Sequence, residues 1–143
     1  MAEEALFSGS RITMLIPQRE PIVMLDTFFE GSDNDALTGL TVQPDQLFCV
    51  DGRLTEPGLI EHMAQSASAL AGYKAYRQQK KPPLGFIGEI KKFRTFRLPA
   101  SGEQLRTHIQ VVSEVLQIQL ISAEVTSAGE PIASCRMKIY VQE

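Results

Sequence analysis

No apolar run in the 143-residue sequence approaches the ~20 residues that a membrane-spanning helix requires. The opening Met1-Ala2-Glu3-Glu4 is acidic where a secretory leader is basic. Cysteine is scarce: Cys49 and Cys135 lie far apart, show no metal-ligand or redox spacing, and provide no disulfide framework. These absences lead to the expectation of a cytoplasmic, reduced protein that holds no metal and contacts no membrane. Positive charge is also in deficit, with 14 Lys and Arg against 17 Asp and Glu, a net charge of −3 and a pI near 5.4. That balance argues against a general nucleic-acid binder. There is no internal repeat, low-complexity tract or linker, so a single domain over residues 1–143 is expected, large enough to bury a core.

What the sequence does contain is organised around one stretch. Thr55 and Pro57 are helix-start signals, and no proline follows until Pro82, which predicts a helix from about Gly58 to about Gln79. Leu59, Met63, Ala67, Leu70 and Ala71 recur at helical spacing, while Ser66, Ser68, Ala69 and Gly72 make the other face small rather than charged. A helix with no charged face over its first turns is expected to be enclosed. Into this apolar setting the sequence places a carboxylate, Glu61, with Gln65 one turn behind. A carboxylate near a buried helix start is costly unless it is paired or used.

Around the helix the signals are those of strands. Ser10 can cap a short helical turn through Ile16, and Pro17 and Pro21 bracket an extended segment. Ile22 to Phe29 reads as a strand ending at the turn cluster 31–35, with Ala36 to Val42 as its hairpin partner. Residues 44–52 read as a loop. After Pro82-Pro83 only strands follow: Leu84 to Leu98, with a bulge or bend at Gly85 and Gly88; Gln104 to Val112, with Leu105, Thr107, Ile109 and Val111 on one side; Leu116 to Thr126; and Ile132 to Val141. About six strands joined by tight turns make a largely antiparallel sheet, and one long helix makes the class α+β, a curled sheet wrapped around a central helix. Such a sheet leaves part of the helix near Glu61 uncovered, so a homodimer, or a larger homo-oligomer built of dimers, is expected.

Several short motifs then fall in order. Ile16-Pro17-Gln18-Arg19-Glu20-Pro21 with Met24-Leu25-Asp26, then Phe48, Pro57-Gly58 and Glu61 with Ala64-Gln65, then Phe86-Ile87-Gly88-Glu89-Ile90-Lys91-Lys92-Phe93-Arg94, and finally Pro99 with Gly102-Glu103-Gln104-Leu105 run through nearly the whole chain. Together they resemble the hot-dog-fold 3-hydroxyacyl-[acyl-carrier-protein] dehydratases, in a divergent branch similar to the dehydratases of aryl-polyene gene clusters. The resemblance implies a hot-dog fold and the removal of water from a 3-hydroxyacyl thioester, giving a trans-2-enoyl product. It also implies an acyl carrier protein as partner, with the substrate carried on phosphopantetheine and no cofactor of the enzyme's own.

Carried onto these residues, the resemblance makes Glu61 the helix carboxylate that assists loss of the 3-hydroxyl. Gly58 becomes the helix-start glycine that admits the substrate to the backbone. The family's loop histidine has no counterpart: aligned from Phe48, Asp51 stands at or near its place, with Cys49 two residues earlier. The segment from Pro57-Gly58 to Glu61 is shorter than the family's, and Gln18 replaces a histidine of the opening motif. Asp51 therefore has two readings, a base opposite Glu61 or the first residue of an Asp-Gly turn. His62, adjacent to Glu61 but about 100° around the helix, is either a third catalytic group or a buried hydrogen-bonded histidine. His108 reads as a surface strand residue. Gln65 shares the face of Glu61, to orient it or to bond the substrate. Phe48 and Met63 complete the candidate substrate contacts, and Phe86, Phe93, Phe96 and Leu70 are divided between an acyl tunnel and the core. Cys49 as a nucleophile lacks an activating neighbour. Lys91, Lys92, Arg94 and Arg97 form either a docking patch for an acidic carrier or the cations that protect an edge strand. A hot-dog thioesterase, or a dimer that only binds the carrier, stand as alternatives.

Overall fold

The proline-free stretch forms the one long helix of the structure, a computed structural model that describes residues 4–142. The helix, α1, spans Glu56–Arg77. Thr55 holds the N-cap position and Pro57 lies in the first turn, as the sequence predicts, but the Thr55 hydroxyl makes no cap bond. It donates instead to the carbonyl of Phe48 at 2.7 Å, tying the helix start to the loop before it.

The strands are β1 (Phe7–Ser8), β2 (Thr27–Gly31), β3 (Asp35–Thr41), β4 (Cys49–Val50), β5 (Arg53–Leu54), β6 (Leu84–Thr95), β7 (Gln104–Val115), β8 (Ile118–Ser127) and β9 (Glu130–Gln142). A short 3₁₀ helix, Gly9–Met14, follows β1. Seven strands make one antiparallel sheet in the order β1-β2-β3-β7-β8-β9-β6, and β4 and β5 form a separate hairpin. The expected count of about six falls one short of the main sheet, and β1 is its shortest strand. The bulge foreseen near Gly88 is present between Ile87 and Glu89, and a second lies between Lys91 and Arg94.

One expected strand is displaced. Ile22 to Asp26 lie outside the sheet, and pairing begins only at Thr27. Side chains of α1 take part of its backbone: Gln65 accepts from the Met24 N–H at 2.7 Å and donates to the Ile22 carbonyl at 2.9 Å, while Asp26 alone keeps backbone bonds to Gly39 and Gly9. An extended, β-branched run satisfied in this way has no need of a neighbouring strand.

The alternating residues Leu105, Thr107 and Ile109 of β7 are fully buried against the helix, as are Ile121 and Val125 of β8 and Ile132 of β9. Leu59, Met63 and Leu70 meet them from α1. The opposite face of α1 is buried too, through Ser66, Ala69 and Gly72. Fully burying a side chain of Leu, Ile or Met contributes about 1.5–3 kcal/mol, so these residues hold the helix in the sheet's concave face. The helix approaches the end of the 3₁₀ turn closely at Gly72, where an added Cβ would lie 1.8 Å from the carbonyl oxygen of Leu15.

The sheet ends unequally. β1 is two residues long, whereas β6 has twelve and pairs on one side only, with β9. Leu84, Phe86, Ile87 and Phe96, within or just beyond β6, are exposed.

Because backbone rather than a flexible side chain opposes it, Gly72→Ala forces the helix away from Leu15. The expected cost is about 2 kcal/mol or more, read as a lower urea midpoint with an unchanged slope.

Candidate active site

Glu61 lies in the second turn of α1, half-buried, with one carboxylate oxygen accepting a hydrogen bond from Gln65 Nε2 at 2.8 Å. Gln65 is fully buried, and its three bonds, to Glu61, Met24 and Ile22, leave it a single orientation. Its amide therefore fixes the carboxylate by way of the backbone it also clamps. Helical spacing of four residues places the two side chains on one face, which is how the sequence could foresee the pair.

The carboxylate faces a crevice of about 260 Å³. Its floor is the small-residue face of α1, Ala64, Ala67 and Ala71, and its walls include Gly85 and Ile87 of β6 and Ile139 of β9. Gln18, Ser68 and Gln119 are the polar side chains beside Glu61. Among the described residues that line it, Glu61 is the sole titratable group. A larger cleft of about 690 Å³ adjoins it, sharing Ala71, Pro83, Gln119 and Val141. Lys74, Lys80 and Lys81 line that cleft, against the single carboxylate of Glu114, which is held by Gln119.

His62 points to the other side of the helix. It is fully buried, with Nδ1 2.7 Å from the carbonyl of Met24 and Nε2 2.6 Å from the Thr107 hydroxyl. A carbonyl can only accept, so Nδ1 carries the proton and Nε2 accepts from Thr107. Burial lowers the pKa of His62, overcoming the opposing pull of the Met24 carbonyl and the Asp26 charge. The ring is a neutral tie between α1, β7 and the 22–26 segment. Ser66 adds a second tie, donating to the His62 carbonyl and accepting from Thr38 of β3, both at 2.8 Å.

Asp51 and Gly52 both have positive φ, +52° and +77°, at the tip of the β4–β5 hairpin, where the side chain of Asp51 is exposed. This is the two-residue turn that an Asp-Gly pair favours, and it lies outside the Glu61 crevice. A Cβ on Gly58 would meet Leu54 at 2.5 Å and Phe48 at 2.7 Å, so that glycine admits two neighbouring side chains to the helix start. Met63 is wholly within the core, with Sδ 3.7 Å from the Cys135 thiol. Cys49 is half-buried, and burial, with the Asp45 charge, raises its pKa, away from nucleophilic use. His108 is exposed and pairs with Asp35 at 2.9 Å.

The four cations around β6 are not equivalent. Arg97 is bound by Glu103 through two bonds of 2.7 and 2.8 Å, and Lys91 stands 3.7 Å from Glu89. Lys92, at φ +53°, and Arg94 are exposed. Glu103 also accepts from the Ala100 N–H and the Ser127 hydroxyl, and these bonds, led by Arg97, pull its pKa down to about 2. Arg97 thus belongs first to the turn before β7. Gln18 is the crevice residue that sequence reasoning did not assign; its one signal was that it stands where the resembled family has a histidine.

A helix enclosed by a curled antiparallel sheet, with a carboxylate at an open crevice beside the sheet edge, is the hot-dog architecture. Over residues 10–143 the chain matches the ApeP-like family, described as ApeP dehydratase, and it belongs to that family. Among solved structures it is similar to the dehydratase heterocomplex ApeI:P from Xenorhabdus doucetiae, with a TM-score of 0.85 and 21% identity over 92% of this chain and 91% of that one. It also resembles the conserved protein PA5202 from Pseudomonas aeruginosa (TM-score 0.68, 17% identity, 93% and 99% covered). A hypothetical thioesterase with coenzyme A from Streptococcus pneumoniae TIGR4 shares the fold (TM-score 0.66, 9% identity, 80% and 84% covered). A search of curated proteins returns no match. No helix among the described residues is long and apolar enough to cross a membrane.

Native His62 stays neutral at pH values where the unfolded chain, with a histidine pKa near 6.5, takes up a proton. Stability is therefore full above about pH 6.5 and falls as the pH drops below it, with a slope approaching 1.4 kcal/mol per pH unit. Urea midpoints measured between pH 7.5 and 5 should fall more steeply for the native sequence than for His62→Gln, each referred to its own value at pH 7.5.

Proposed function

We propose that this chain dehydrates 3-hydroxyacyl thioesters carried on the phosphopantetheine arm of an acyl carrier protein, releasing water and a trans-2-enoyl thioester. The observation that carries the reading is the Glu61 carboxyl, held by Gln65 in a mostly apolar crevice with no second titratable side chain among the described residues that line it. Elimination needs a base to take the C2 proton, whose bonding pair becomes the C2–C3 double bond, and an acid to protonate the departing 3-hydroxyl. Glu61 in its protonated form supplies the second proton, so that water rather than hydroxide leaves. The step draws on no resident metal or cofactor; the phosphopantetheine belongs to the substrate. We place the reaction in the cytoplasm.

The base is the missing part. His62 is committed to Met24 and Thr107, and serves this reading as a positioning residue for α1. Asp51 is turned to solvent on its hairpin. The long unpaired edge of β6, with its exposed apolar side chains, runs beside the crevice and is suited to pairing with another hot-dog subunit. In a homodimer Asp51 of a second copy is the available base. In a second arrangement a non-identical hot-dog subunit pairs along the same edge and brings its own base. The Xenorhabdus doucetiae relative, a dehydratase heterocomplex, is in keeping with this.

Carrier docking follows from charge. Lys74, Lys80 and Lys81 form no ion pair among the described residues and line the cleft that opens into the crevice, whereas Lys91 and Arg97 are occupied by Glu89 and Glu103. Along a helix Glu61 and Lys74 are about 20 Å apart. A phosphopantetheine arm with its acyl group has the contour of about five extended residues, roughly 18 Å. The cleft lysines therefore suit the phosphate while the β-carbon reaches Glu61, with Lys92 and Arg94 left as the outer part of the docking patch.

Glu61→Gln should lower dehydration of a 3-hydroxyacyl carrier by about 10²-fold or more while leaving fold and assembly intact. The assay follows enoyl absorbance with the chain alone and with a hot-dog subunit that co-purifies with it. Release of free thiol from an acyl thioester lacking the 3-hydroxyl would instead identify a thioesterase. Tight carrier binding without turnover in either assay would identify a binding dimer. Lys80→Glu with Lys81→Glu should raise KM for the carrier-bound substrate at least tenfold and leave KM for a short pantetheine thioester unchanged.

A further inference from the structure

The loop between β7 and β8 holds a residue that local backbone preference argues against. Val115 pairs with Ile118, so Leu116 and Gln117 make the whole turn, and Leu116 has φ +58°. A two-residue hairpin loop with positive φ at its first position favours glycine or asparagine, because a larger side chain crowds its own backbone there. Burial does not offset the strain: Leu116 is 91% exposed, beside Val115 at 67%. The loop is nevertheless anchored. The Gln117 carbonyl accepts from the Val141 N–H at 2.8 Å, and Gln119 donates to the Glu114 carboxylate across the base of the turn. An exposed leucine is ordinary, but one held on a fixed tip in a conformation costly to it points to a use outside the fold.

The place of the tip identifies the partner. Leu116 lines the cleft that also carries Lys74, Lys80 and Lys81, and that cleft adjoins the Glu61 crevice. A residue that lines a cleft while so exposed stands at its rim. We propose that Leu116, supported by Val115, is an apolar contact for the carrier protein itself, meeting its surface beside the serine that bears the phosphopantetheine arm. This rests on the reading of a carrier-bound substrate and adds a contact for the protein rather than for the arm. With the phosphate among the lysines, its ester link ties the carrier's own surface to the rim where Leu116 stands. The lysines select an acidic partner but hold it loosely, since exposed ion pairs are screened by salt and contribute little. A protruding apolar side chain that loses its water on docking supplies the firmer part of the contact. The partner therefore offers carboxylates to Lys80 and Lys81 and an apolar patch to Leu116.

Two substitutions separate docking from folding: Leu116→Gly removes the apolar group and the strain together, whereas Leu116→Met keeps the apolar bulk. Dissociation constants for a holo acyl carrier protein are measured by calorimetry on the full chain, with any subunit that co-purifies. KM for a short pantetheine thioester is measured alongside. Leu116→Gly should weaken carrier binding about tenfold while leaving that KM unchanged and the urea midpoint at or above its native value. Leu116→Met should bind the carrier within about twofold of the native sequence. Unchanged carrier binding in Leu116→Gly overturns the proposal, as does an equal loss toward both ligands or a lowered urea midpoint. If Leu116→Gly keeps the carrier but no longer sediments with phosphatidylglycerol vesicles as the native chain does, the tip serves a lipid surface instead. If it keeps the carrier but forms a smaller assembly by light scattering, the tip serves a second copy, and either result overturns the proposal. A native chain that dehydrates the pantetheine thioester but binds no carrier overturns this inference and leaves dehydration standing. One that binds the carrier through Leu116 and dehydrates nothing overturns the dehydratase reading alone.

Discussion

The side-chain amide of Gln65 is the junction on which the site depends. It is buried, and its three bonds join two parts of the chain: the Met24 N–H and Ile22 carbonyl of one segment, and the Glu61 carboxylate of α1. The first two stand in for strand pairing at Ile22 and Met24, and the third points the carboxylate. Leaving any of these groups unmade inside the protein costs about 1–3 kcal/mol, so the amide fixes chain path and carboxylate together. His62, one turn earlier, does the same for the Met24 carbonyl and Thr107. These two buried polar side chains thus register α1 against both the sheet and the segment leading to β2.

This arrangement divides the labour along α1. Its inward faces carry Leu59, Met63 and Leu70 for packing, and Ser66 and His62 for polar ties to β3 and β7. Its remaining face carries Glu61, then Ala64, Ala67 and Ala71, then Lys74. Small side chains there leave room for an occupant, and the charges at the two ends differ in sign. The same helix is therefore core on most of its circumference and the floor of a groove on the rest. That explains why no single amphipathic stripe describes it.

Much of the architecture could be read from local pattern. The alternation of Leu105, Thr107 and Ile109 gave the inward face of β7, and Thr55 with Pro57 gave the helix start. The Glu61–Gln65 pair followed from helical spacing, and the match to the ApeP-like family agrees with the resemblance carried by the short motifs. What local pattern did not carry were outcomes decided by distant partners. Ile22 to Asp26 has strand composition, and only the reach of Gln65 and His62 across some 40 residues of sequence removes it from the sheet. Met63 shares the helix with Glu61 but faces Cys135, a rotation that spacing alone leaves open. The Asp51-Gly52 pair was legible as a turn, yet the hairpin of β4 and β5 around it was read as loop because each strand has only two residues. Gln18 had only the signal of standing where the resembled family has a histidine, and its place at the crevice is decided by distant elements.

The outer side of the sheet carries one more consequence. Register places Val115, Ile118, Tyr140 and Phe86 directly across β7, β8, β9 and β6, all of them at least partly open to solvent. This apolar band reaches the same unpaired strand that borders the crevice. The chain on its own therefore presents both a vacant ladder of backbone groups and a greasy flank, the combination from which off-pathway stacking starts. For such a surface, whatever covers that strand edge also governs how readily the chain stays dispersed.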